Sequence, residues 1–133
     1  MEESNDLDWL TRLTAEEWLR ASGNELARGY DRLRGNARRE GLTYARRAAG
    51  MALNAVLRRN LDPAYGRSYM DHLKALRDDD RVPPEPRAAA RRLVAAPMQA
   101  DLVHLGTGPT NLADDAREIV DYCRALAGAG DLP

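Results

Sequence analysis

Residues 43–59, TYARRAAGMALNAVLRR, decide the fold. Ala45, Ala48, Ala49, Ala52, Leu53, Val56 and Leu57 recur at the spacing of a helix with one apolar face. Arg46, Arg47, Asn54 and Arg58 fall on the opposite face. The apolar stripe is small in its first half, where Ala48, Ala49, Gly50 and Ala52 stand, and large in its second, at Leu53, Val56 and Leu57. Small side chains admit a neighbouring helix closely, because interaxial distance follows the residues at the contact. The stretch therefore predicts the central helix of a bundle, touched on more than one side.

Working outward, Thr14 and Glu17 form a capping-box pattern ahead of Trp18. The helix they open carries Trp18, Leu19, Leu26, Tyr30 and Leu33, and its break falls at Gly35-Asn36 or as late as Gly41. Before it, Leu7, Leu10 and Leu13 line one side of a short helix. After the central helix, Pro63 and Gly66 mark a turn, and residues 68–77 predict a short helix with Tyr69, Leu73 and Leu76 inward. Asp78, Asp79 and Asp80, then Pro83, Pro84 and Pro86, predict a loop, followed by a helix over residues 87–96. Residues 98–105 read either as an extended piece or as a helical turn, and residues 106–110 as a loop. A last helix spans residues 112–127, with Leu112, Ala116, Ile119, Val120, Cys123 and Leu126 on one face and Gly128 as its stop. No strand pattern appears. The expected class is all-α, an up-and-down helical bundle of about five helices. Residues 1–13 form a flexible or short-helical arm, 14–128 the single domain and 129–133 a tail.

Composition narrows the chemistry. At 133 residues the chain is long enough for one core without disulfides or metals. A single cysteine, Cys123, excludes an internal disulfide, a CxxC redox pair and a cysteine-rich zinc site. No apolar run approaches the ~20 residues of a membrane helix, and the acidic N-terminus is unlike a signal peptide. The expectation is a cytoplasmic protein with no membrane partner and no cofactor. Net charge is -1, yet ten arginines between Arg20 and Arg59 meet only Glu25, Asp31 and Glu40 in that span. They read as a phosphate-tracking patch or as a solvated, ion-paired face.

The order of elements has a parallel. The helix RRAAGMALNAVLRR (46–59), a Pro/Gly turn, YGRSYMDHLKAL (65–76), an acidic loop, VPPE (82–85) and two further helices follow one another. This order resembles the HEPN domains, helical bundles related to the C-terminal domain of kanamycin nucleotidyltransferase. The resemblance implies homodimerisation. In different branches it implies nucleotide binding, partnership with a nucleotidyltransferase (as in toxin-antitoxin pairs), or metal-independent RNA cleavage. Arg67 and His72 match the R-x4-6-H spacing of the ribonuclease branch. There the arginine would hold a phosphate and the histidine would exchange a proton with the 2′-OH. Two residues at the start of one short helix point apart, which opposes convergence within one chain. A nucleotide-bearing ligand would instead call on Arg46, Arg47, Tyr69 and His104.

The remaining motifs are weaker. Asp101 with His104, or Asp71 with His72, is an incomplete metal set, so no metal is expected. GTGPTN (106–111) precedes a helix but lacks the P-loop lysine, and reads as a loop and cap. Trp9 and Trp18 are either core residues or interface anchors. The reading reached is a non-catalytic HEPN-like module that binds a nucleotide-bearing ligand or a protein partner. The alternatives are a ribonuclease using Arg67 and His72, or a purely structural dimerisation module.

Overall fold

The computed structural model describes residues 7–98 and 110–130. The capping box at Thr14 forms: its hydroxyl accepts the Glu17 N–H at 3.1 Å, and the Glu17 carboxylate accepts the Thr14 N–H at 2.8 Å. It opens α2 (Ala15–Arg34), which follows the single turn α1 (Asp8–Thr11). α3 (Arg38–Arg59) leads into a 3-10 turn (Pro63–Tyr65), α4 (Tyr69–Asp78), α5 (Pro84–Ala95) and α6 (Asn111–Gly130). No strand occurs among the described residues, and the chain is an all-α bundle. No described helix is long and apolar enough to cross a membrane.

α3 is central: it contacts α1, α2, α4, α5 and α6. The small stripe explains how. Ala45, Ala48, Ala49 and Ala52 are fully buried, and a Cβ added to Gly50 would collide with the Cβ and ring of Tyr69 on α4. Helix backbones come this close only where side chains are absent or short. Replacing Ala49 or Ala52 by leucine is expected to overpack this seam and cost about 1–3 kcal/mol. Urea denaturation measures it, and unchanged midpoints for both variants would contradict a core at this face.

Several boundaries differ from the sequence reading. Of the two breaks read from the sequence, the chain takes the one at Gly35-Asn36, with Asn36 at φ 66°, and α3 begins at Arg38. Asparagine tolerates that left-handed conformation better than most residues. α5 begins at Pro84, so prolines expected in a loop lie in its first turn. The first-turn N–H groups have no helical acceptor, so proline loses nothing there. α6 continues through Gly128 to Gly130 instead of stopping at Gly128. Asn54, placed by periodicity on the polar face, is 1% exposed, whereas Leu126, placed on the apolar face, is 42% exposed. Residues 99–109, which include His104 and most of GTGPTN, lie outside the described residues.

Candidate functional site

Local backbone chemistry positions His72. Gly66 takes φ 65° after the 3-10 turn, where an added Cβ would press on Asp71. Ser68 then caps α4: its hydroxyl accepts the Asp71 N–H at 3.0 Å, and the Asp71 carboxylate accepts the Ser68 N–H at 3.5 Å. This start directs His72 inward, where it has no exposed surface. Its Nδ1 lies 2.7 Å from the Tyr65 carbonyl oxygen and its Nε2 2.8 Å from the Asn54 Oδ1. The carbonyl can only accept, so Nδ1 carries the ring proton. Nε2 then accepts from Asn54 when the amide nitrogen faces the ring, an orientation isosteric with that of Oδ1. Burial pushes the imidazole pKa below its ordinary value of 6.5, against the opposing pull of the Tyr65 carbonyl and Asp71. The buried ring thus ties α3, the 3-10 turn and α4 together.

Arg67 is exposed, its guanidinium 6.0 Å from the centre of the Trp9 ring. Trp9 also stacks at a tilt on His72, 5.7 Å between centroids. Arg67 and His72 therefore meet the same indole, the first at the surface and the second beneath it. An imidazole with both nitrogens engaged and no exposed edge has no path to a 2′-OH in this arrangement. Trp18 is 1% exposed, and its indole N–H donates to the Leu10 carbonyl at 2.8 Å, which places this tryptophan in the core.

The four ligand candidates separate. Arg46 donates to the carbonyls of Leu93 at 2.9 Å and Ala96 at 3.0 Å, satisfying the C-terminal end of α5. Burial first, and then the neighbouring Arg38 charge, lower its pKa. Arg38 adds a bond to the Pro97 carbonyl at 3.1 Å. Arg47 projects elsewhere, 3.2 Å from the buried Glu25 carboxylate. Tyr69 is half-buried over Gly50, its hydroxyl pKa raised by burial and opposed by Arg12 and Arg47. His104 lies outside the described residues. Arg47 and Tyr69 share a neighbourhood, and Arg46 does not belong to it.

A feature that the sequence reading missed is a groove of about 240 Å3 beside the C-terminal half of α3. Leu53, Val56, Leu57, Leu76 and Val82 form its apolar floor. Its rim is a polar network in which the Tyr65 hydroxyl donates to Asp79 at 2.8 Å, and Arg81 bridges Asp79 at 2.8 Å and Asp62 at 3.1 Å. The Arg81 bond, with help from Tyr65, holds Asp79 well below the usual carboxylate range. Leu126 stands on the edge. The helical spacing of Leu53, Val56 and Leu57 could reveal part of the floor from sequence, but the opening depends on where the 79–83 loop and α6 come to rest.

No group of three or more His, Cys, Asp and Glu side chains among the described residues is placed to hold a metal ion. Cys123 is fully buried, and burial pushes its thiol up. Fold and site together define a small all-α helical module with an apolar groove and a buried histidine cross-link. No family model, curated protein or solved structure matches the chain.

Proposed function

We propose that this chain is a non-catalytic helical interaction module that pairs with a second copy of itself through the groove, within a HEPN-like framework. One observation carries the reading. Two large hydrophobic side chains are exposed among the described residues, Leu61 at 46% and Leu126 at 42%, and Leu126 lines this groove. Leu126 edges the groove, and Leu61 lies between Asn60 and Asp62, which line it. An apolar knob beside an apolar hole is self-complementary about a two-fold axis, the requirement of an isologous interface. The volume lies below the ~300–1,000 Å3 of typical small-molecule pockets and suits an aliphatic side chain. The homodimer implied by the resemblance to HEPN domains fits the same reading, and a nucleotidyltransferase partner would meet the same surface. The burial of His72 weighs against the ribonuclease alternative.

Sedimentation velocity at micromolar concentration tests the proposal. The wild-type chain is expected to be a dimer. Leu126→Arg is expected to be a monomer with unchanged far-UV circular dichroism, because the charge would be desolvated without a partner. A monomeric wild type, or a dimer indifferent to Leu126→Arg, would overturn it.

A further inference from the structure

A second surface, away from the groove, has its own construction. Ten arginines and five carboxylates lie on the α2–α3 hairpin. At its middle, the Glu25 side chain is only 7% exposed, with the guanidinium of Arg28 2.5 Å from one oxygen and that of Arg47 3.2 Å from the other. The two arginines are 55% and 45% exposed, so the carboxylate lies beneath and the cations above. Arg47 also lies 5.7 Å from the Tyr44 ring centre, which Arg32 approaches to 5.5 Å. Arg32, Arg39, Thr43, Tyr44 and Arg47, with Glu40 as the one acid, line an open hollow of about 330 Å3. Arg39 is exposed and makes no ion pair among the described residues.

Long arginine side chains on a surface are normally free to rotate, and ordering them costs entropy. Here Glu25 holds Arg28 and attracts Arg47, Asp31 at 3.0 Å and Glu40 at 3.3 Å hold Arg32, and the Tyr44 ring lies against Arg32 and Arg47, which lowers the entropy lost on binding. Guanidinium forks match phosphate oxygens in geometry and charge. We infer that this hollow binds consecutive phosphate groups, with Arg32, Arg39 and Arg47 as the contacts and Glu25 as the residue that positions Arg28 and Arg47 from below. The inference does not depend on the groove or on self-association.

Two probes separate the sources of such phosphates: inorganic tripolyphosphate, and a single-stranded 12-nucleotide oligouridylate, each titrated against the full chain by calorimetry. Saturable binding of tripolyphosphate alone assigns the hollow to a free polyphosphate group. Binding of both assigns it to any run of phosphates, and binding of the oligonucleotide alone to a phosphodiester backbone. In every case affinity should fall with added salt. Arg39→Ala and Arg47→Ala should each weaken binding about tenfold, while Arg91→Ala, on α5, should leave it unchanged. Glu25→Gln supplies the test of positioning, because it removes one buried negative charge and so makes the patch more positive overall. A merely electrostatic patch would bind more tightly, whereas released guanidiniums bind more weakly, and weaker binding is the result expected. No binding of either probe, or affinities unmoved by Arg39→Ala and Arg47→Ala, would overturn the site. Tighter binding by Glu25→Gln would overturn the role of Glu25.

Discussion

Trp18→Ala is expected to cost about 3–5 kcal/mol, the range for deleting a large aromatic side chain from a core. Trp18 is 1% exposed and packs with Ala15 and Ala55. Three losses combine. The apolar area returns to water, a cavity remains between α2 and α3, and the Leu10 carbonyl loses the donor that reaches it at 2.8 Å. That carbonyl belongs to α1, so the N-terminal turn should loosen as well. Chemical denaturation should show the midpoint falling, and amide exchange should show Leu10 and Thr11 losing protection ahead of α3. A cost below about 1 kcal/mol would mean that Trp18 is an interface residue rather than a core residue.

His72→Ala is expected to cost about 3 kcal/mol, because it leaves the Tyr65 carbonyl and the Asn54 amide buried without their partner. It should also change the pH dependence. The folded state holds the His72 pKa below 6.5, mainly by burial, while the unfolded chain titrates near 6.5. The unfolded state therefore binds the proton first as pH falls. Stability is fully present above about pH 6.5 and declines below it, by up to about 1.4 kcal/mol per pH unit until the folded pKa is reached. Asp79, whose folded pKa is depressed, loses its contribution only below the ordinary carboxylate value of 3.8, so its window opens at lower pH than that of His72. The wild type should show the upper slope and His72→Ala should lack it. Purified protein in chelator is expected to cleave no single-stranded RNA above background.

The sequence made the helices legible because their signals are local. Thr14 with Glu17 announces a helix start, and the alanines of α3 announce a crowded centre whatever surrounds them. Asn54 and Leu126 were misplaced for a reason of a different kind. Each lies on a helix whose periodicity is clear, yet each exposure is set by another element. His72 arrives on α4 to cover Asn54, and nothing among the described residues covers Leu126. The prolines of α5 show a third limit: the same residues end one helix and begin another, and only the position of the first turn distinguishes the two. Of the candidate site residues, Arg67 and His72 were visible as a spacing, but the spacing carries no information about burial. Glu25 was visible only as a charge. Its burial depends on Arg47, a residue 22 positions along the chain on another helix.

The account rests on His72 being a buried, neutral cross-link rather than an acid-base group. Nuclear magnetic resonance of the imidazole nitrogens in the folded His104→Gln chain, where His72 is the single remaining histidine, addresses this directly. The account predicts a neutral ring at pH 6.5 with the proton on Nδ1, titrating only below that pH. A ring that is charged at pH 6.5, or that titrates freely above it, would contradict the account and return His72 to the catalytic reading.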